Sequence, residues 1–143
     1  MSLRSAKLWH LPQLLHVLWA NTRLSPVQAR SKFTDAALML RCVRRGWVWL
    51  AKEGDGFLVR DSARVHALYV HPKAQGRGTG QRLMQDTQAR TDQLELWVQQ
   101  DNQRAIRFYE ALGFTEVART DGHGNDEKQP DICMRWQAST GTL

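Results

Sequence analysis

The sequence predicts a mixed α/β domain around one central sheet, and three observations carry that prediction. Apolar residues recur at helical spacing in the first third of the chain, then switch to short strand-like runs from Gly46 onward. Beyond that point strand-like and helical runs alternate to the end, which is how an α/β layer architecture is written. The 143 residues match the usual size of one domain, whereas two halves of about 70 residues would bury too little surface without staples. The reading is therefore a single domain over 1–143.

The elements follow in order. Leu3 to Lys7 is an extended start. Leu8 to Leu24 is amphipathic, with Leu11, Leu14, Leu15 and Leu18 at helical spacing. Ser25-Pro26 supplies an N-cap and a first-turn proline for a second helix, which runs to Arg44 before Gly46 ends it. Trp47 to Ala51 and Phe57 to Arg60 form a hairpin around Lys52–Gly56. Arg64 to Val70 is a strand stopped by Pro72. Thr79 to Arg90 is a helix, Leu94 to Gln99 a strand, and Asn102 to Leu112 a helix closed by Gly113. Phe114 to Thr120 and Ile132 to Trp136 are two final strands flanking a polar loop. The order is β-α-α-β-β-β-α-β-α-β-β.

Composition narrows the classes. The longest apolar runs, Ala36–Leu40 and Trp47–Ala51, have five residues each, far short of the about 20 that a membrane span needs. The start, MSLRSAKLWHLPQ, lacks the apolar core of a signal peptide, so the expected compartment is the cytoplasm with no membrane partner. Cys42 and Cys133 have no CxxC spacing and read as small buried hydrophobes. A net charge of +6, with fifteen arginines among twenty cations, suggests a polyanionic partner or a phosphorylated cofactor. Nucleic acid is disfavoured. The chain has no zinc-finger spacing, RNP aromatic motif or long basic run, and Arg41, Arg44 and Arg45 suit the C-terminal end of the second helix.

The segment richest in chemistry runs from His66 to Leu83: a strand, a loop with Gly76, Gly78 and Gly80, and then a helix. Alternating glycines let backbone N–H groups approach a bound group, and the helix start adds unpaired donors and a positive dipole end. Lys73, Arg77 and Arg82 add charge, so the segment reads as a phosphate cradle. It is neither a Walker A loop, which needs GxxxxGK[ST], nor a Rossmann fingerprint, whose spacing is GxGxxG.

A second segment, Asp101–Phe114, joins it. Gln75-Gly-Arg-Gly-Thr-Gly80 resembles the glycine-rich pyrophosphate loop of the GNAT superfamily of acetyl-CoA-dependent N-acetyltransferases. Asn102, Ala105, Phe108-Tyr109 and Gly113-Phe114 resemble the motif after that family's fifth strand. Leu3–Ala6 and the two helices behind it are similar to the family's opening. The resemblance implies a central, mostly antiparallel mixed sheet of about six or seven strands flanked by about four helices.

It also implies a cofactor, acetyl-CoA, and roles for named residues. The backbone of Leu68, Tyr69 and Val70 would pair with the pantetheine arm. Gln75, Gly76, Arg77, Gly78, Thr79 and Gly80 would hold the pyrophosphate, Asn102 would contact the cofactor, and Tyr109 would sit near the thioester sulfur; Arg107, off the apolar face of its helix, either contacts a cofactor phosphate or is solvated. The implied reaction is direct transfer to a primary amine of a small molecule in a ternary complex, with Tyr109 protonating the departing thiolate. A sensor that binds acyl-CoA without turnover is the alternative, and between a monomer and a homodimer the sequence leaves the choice open.

The acceptor's base is less legible. Some family members carry a glutamate on the fourth strand, where this chain has Arg64. His66, two residues on, would share that face by alternation and titrates near neutrality. Glu95 on the next strand is the other candidate. His66 and His71 have poor spacing for a metal, and no metal site is expected. Trp47 and Trp49 would share a strand face and either line an acceptor pocket or fill core. The loop Asp121–Asp131 has four acids against one lysine, and its Asp126 and Glu127 are candidates for recruiting a cationic amine.

Overall fold

The computed structural model describes residues 3–22, 32–121 and 130–138. Its strands are β1 (Leu3–Ser5), β2 (Val48–Ala51), β3 (Gly56–Asp61), β4 (Arg64–Val70), β5 (Gln93–Gln99), β6 (Thr115–Thr120) and β7 (Asp131–Gln137). The helices are α1 (Leu11–Thr22), α2 (Lys32–Arg44), α3 (Thr79–Gln88) and α4 (Gln103–Ala111), with short 3₁₀ turns at Leu8–His10 and Pro72–Ala74. The order of strands and helices is the one the sequence predicts. Where the sequence reads one helix from Leu8, the chain instead makes the 3₁₀ turn first, and Pro12 falls in the opening turn of α1, where a missing N–H costs nothing. The expected helix start at Ser25-Pro26 lies outside the described residues.

All seven strands form one sheet in the order β1-β2-β3-β4-β5-β7-β6. Every neighbouring pair is antiparallel except β4 with β5. Alternation along β3 places its side chains on two faces. Phe57 and Val59 join α1 and α2 in one core with Leu14, Leu15, Val17, Met39 and Val43. Leu58 joins the other, with Met84 of α3, Leu94, Leu96 and Val98 of β5, and Met134 of β7. α4 lays Ala105, Ile106, Tyr109 and Leu112 on this second core, the i, i+1, i+4, i+7 stripe of an amphipathic helix.

The first core reaches only as far as Ala67 and Tyr69 of β4. On the same face β5 presents Glu95, Trp97 and Gln99, because its alternate residues Leu94, Leu96 and Val98 are buried on the other side. Trp97 is 40% exposed there. Among the described residues no helix is long and apolar enough to cross a membrane, and both cysteines are free thiols.

Candidate active site

The glycine loop owes its shape to two positions. Gly76 and Gly78 have φ of +84° and +83°, a region that costs an L-residue about 1–2 kcal/mol. Gly78 is the N-cap of α3. Gly80 lies where a Cβ would stand in ordinary contact, 3.5 Å from both Phe108 and Val70, so the start of α3 packs on α4 and β4. The amides of Gln75 and Arg77 close turns onto Pro72 and Ala74, each at 3.4 Å. Of the six residues expected to hold pyrophosphate, those two have occupied amides, so the glycine amides and Thr79 at the head of α3 are the donors suited to an anion. Arg82 donates to the Arg77 carbonyl at 3.2 Å, which holds a guanidinium beside the loop.

A side-chain clamp ties this loop to α1. Asn21 Nδ2 donates to the Val17 carbonyl at 2.9 Å and to the Val70 carbonyl at 3.0 Å. Gln75 Nε2 donates to the same Val70 carbonyl at 3.2 Å and to Asn21 Oδ1 at 3.4 Å. Two amides thus fix the last residue of β4. Gln75 therefore acts through its side chain, a role that glycine spacing alone does not suggest.

β4 and β5 pair only at their beginnings. Their register has one partner pair, Arg64 with Glu95, alongside a 2.7 Å bond from the Glu95 amide to the Ala63 carbonyl. Beyond it the register gives no further partner pair as β4 runs on through Leu68, Tyr69 and Val70, so the two strands splay apart. An open cleft of about 320 Å³ lies in this region, lined by Tyr69, Trp97, Val98, Gln99, Asn102, Ala105, Tyr109 and Asp131. Tyr69 and Trp97 come from the α1/α2 face, and Val98, Ala105 and Tyr109 from the α3/α4 face. The cleft therefore joins the two faces of the sheet, and a group entering from one side can meet a group entering from the other.

Tyr109 stands in this passage. Its ring packs edge-on against Phe108 and Phe114 at 5.3 and 5.6 Å. Burial, with a smaller push from the Tyr69 phenol, raises its pKa to about 12, so the hydroxyl is a proton carrier throughout the ordinary pH range. Asn102 lies on the rim, where its side chain caps α4 by accepting from the Ala105 amide at 3.1 Å. Arg107 is exposed on α4.

The structure sets the two expected bases apart from this passage. The β3–β4 register pairs Val59 with Ala67 but Arg60 with Val65, so His66 is the extra residue of a β-bulge. His66 keeps Arg64's face, since Val65 between them joins the second core, and alternation breaks only after it, where Ala67 also meets the first core. His66 is exposed, stacks on Trp47 at 5.5 Å and has its pKa lowered by partial burial and by Arg64, against a smaller opposing effect of Asp61. Glu95 is held by Arg135 at 2.9 Å, its cross-strand partner. Neither lines the cleft.

Trp47 and Trp49 do not share a face. Strand pairing begins at Val48, and Trp47 still bonds back to the Cys42 carbonyl, under Arg45 and against the first core. Trp49 packs with Leu83 and Val70 under Arg90. Asp126 and Glu127 lie outside the described residues. Among the described residues, no group of three or more histidine, cysteine, aspartate or glutamate side chains is arranged to hold a metal ion.

Trp97, Gln99 and Asp131 line the cleft without having been singled out in the sequence. The signal for Trp97 was present: an indole alternating with Leu94, Leu96 and Val98 must face the opposite side of the sheet. Asp131 gave no such signal, because it reads as the end of a polar loop until β7 is seen to start there.

Residues 40–116 match the family model described as an acetyltransferase (GNAT) domain. The chain is 36% identical to the peptidyl-lysine N-acetyltransferase YiaC of Escherichia coli, over 94% of this chain and 95% of that one. Its fold is similar to that of a GNAT-family acetyltransferase from Bacillus cereus, with a TM-score of 0.78 at 16% identity over 96% of both chains. It is also similar to the PaiA N-acetyltransferase of Thermoplasma acidophilum, solved in complex with coenzyme A, with a TM-score of 0.70 at 16% identity over 95% of this chain and 98% of that one. A glycine cradle, a splayed strand pair and a tyrosine between them, in a chain that matches the family over most of its length, lead to one conclusion: the chain belongs to the GNAT family of acetyltransferases.

Proposed function

We propose that this chain transfers the acetyl group of acetyl-CoA to the ε-amine of a lysine held in a polypeptide. The observation that carries the reading is the cleft joining the two faces of the sheet beside Tyr109. It provides one route for a cofactor arm and an opposite one for an acceptor. The acceptor side is a broad sheet surface with the exposed Trp97, which suits an amine on a long stem projecting from a larger molecule. The identity to a peptidyl-lysine acetyltransferase over nearly the whole of both chains supports the same choice. The amine class is the one the sequence suggests; its carrier changes from a small molecule to a polypeptide.

Acetyl-CoA supplies an acyl group activated as a thioester. The glycine amides, Thr79 and the neighbouring Lys73, Arg77 and Arg82 suit its phosphates, and β4 beyond its pairing with β5 suits its amide-bearing arm. An acceptor ammonium has no lone pair and must lose a proton before it can attack. Tyr109 keeps its own proton at working pH and donates it toward the sulfur as negative charge develops there. Direct attack is favoured over an acyl-enzyme. Neither cysteine lines the cleft, and burial raises both thiols above their ordinary range, which suppresses the nucleophilic thiolate.

The test is thiol release from acetyl-CoA in the presence of lysine-containing peptides and, separately, a panel of free amines, with products identified by mass spectrometry. Acetylation of lysine side chains with little turnover of free amines is the expected outcome. Turnover of free amines alone sinks the polypeptide reading and restores a small-molecule acceptor. Tight acetyl-CoA binding with no thiol release under any condition makes the chain a sensor.

A further inference from the structure

β5 lines the cleft with three successive residues, Trp97, Val98 and Gln99. Val98 is buried in the second core, so the residues on either side of it, Trp97 and Gln99, face the acceptor side. Their side chains stand about 7 Å apart, two residues along one strand. A cofactor arm entering from the α3/α4 face meets Val98, Ala105 and Tyr109. Trp97 and Gln99 are turned away from that route and toward the opposite one.

The two side chains offer different chemistry. The indole of Trp97, 40% exposed, is a flat apolar surface with an electron-rich face. Methylenes lie against such a surface, and an ammonium at their end gains a cation–π contribution. The Gln99 side chain ends in an amide, with one carbonyl acceptor and two N–H donors. A peptide group carries the same two functions, so the pair can exchange hydrogen bonds. The Gln99 backbone carbonyl accepts from the Asn102 amide at 3.0 Å, which fixes the end of β5. Its side-chain amide has no hydrogen-bond partner among the described residues. No ionised group is needed for either contact, and Glu95, the acid two residues before Trp97, is already held by Arg135 at 2.9 Å.

We infer that Trp97 and Gln99 together select a lysine held in a polypeptide. Trp97 lies along the methylene stem, and the Gln99 amide exchanges hydrogen bonds with the main chain from which that stem projects. The inference rests on the lysine reading above and deepens it by dividing recognition between two residues. A bare alkylamine of the same stem length uses Trp97 and leaves Gln99 to water. Only an acceptor with a peptide group uses both, so Gln99 sets the preference between the two classes and Trp97 sets the affinity for either.

The experiment compares wild type, Gln99→Met, Trp97→Ala and Trp97→Phe in steady-state assays with two acceptors. One is lysine blocked by an acetyl group at its α-amine and an amide at its carboxyl; the other is n-pentylamine, which has the same stem and no peptide group. Methionine keeps the length of glutamine and drops its amide, so Gln99→Met should melt close to wild type with an unchanged acetyl-CoA KM. Its kcat/KM preference for blocked lysine over pentylamine should fall roughly 2- to 12-fold, the factor expected for one net hydrogen bond. Trp97→Ala should raise the KM of both acceptors roughly 5- to 30-fold and leave that preference near the wild-type value. Trp97→Phe keeps a ring and should recover most of the loss. An unchanged preference in Gln99→Met, or a loss that appears in its acetyl-CoA KM instead, overturns the inference and leaves the lysine reading standing. Wild-type KM values for both acceptors in Trp97→Ala overturn it in the same way. A wild type with no preference for blocked lysine over pentylamine overturns the lysine reading and this inference with it.

Discussion

Tyr109 carries the sharpest chemical expectation, because motif and environment assign it opposite consequences. As a ring packed between Phe108 and Phe114 it is core; as a hydroxyl beside a thioester it is a proton donor. Tyr109→Phe keeps the ring, so fold and acetyl-CoA affinity should survive while kcat falls roughly 10²- to 10⁴-fold. A small drop in melting temperature with near-normal kcat would leave it as packing alone. Its titration gives a second readout. The native phenol holds its proton to about pH 12, whereas an unfolded tyrosine loses it near 10. Between those values the native state binds more protons than the unfolded one, so its stability falls as pH rises. The wild type should lose stability across that window, fully retaining it below about pH 10, and Tyr109→Phe should lack this component. His66, which does not line the cleft, provides the contrast: His66→Asn should leave kcat within about twofold of wild type.

The strand ends and helix starts decide whether the cofactor arm finds its place. Asn21 and Gln75 both donate to the Val70 carbonyl, so α1 sets where β4 stops and the glycine loop begins. Asn21→Leu keeps the volume but removes the donor. It should cost about 1 kcal/mol of stability and raise the acetyl-CoA KM several-fold with peptide KM little changed; equal rises in both would point to general loosening. This clamp was not legible beforehand, since it joins residues far apart in the chain and amide side chains have no periodicity. Much else was. Gly76, Gly78 and Gly80 marked the loop, Asn102 and Gly113 bracketed α4, and the switch of period at Gly46 separated helices from sheet. The Trp47–Trp49 misplacement has a plain cause: placing both on one face assumed that β2 began a residue earlier, and strand ends are set by the partner strand, which a local pattern does not contain.

Two cores share one sheet, and adjacent residues of β3 bind them together. Phe57 and Leu58 are both fully buried on opposite faces, so neither core can lose its packing without disturbing the strand that serves the other. A single cooperative unfolding transition is therefore expected for the whole chain. Leu58→Ala should lower its midpoint without splitting it, at a cost of about 2–5 kcal/mol. The cradle joins the same unit, because Gly80 packs on Phe108 and Val70, and Thr79 is itself buried. Coenzyme A should consequently stabilise the entire molecule. At a hundredfold excess over Kd a ligand of the native state adds about 2.7 kcal/mol, which for a chain of this size raises Tm by roughly 5–11 °C. Gly78→Glu puts a carboxylate where an anion should sit and a side chain where φ is +83°, so it should melt lower and show almost no ligand shift. A thermal scan of both proteins across a coenzyme A titration checks the two effects separately. A lowered baseline reports the backbone strain, and a lost shift reports the site. If Gly78→Glu keeps the wild-type shift, the phosphates bind elsewhere and the loop is a turn that only supports α3.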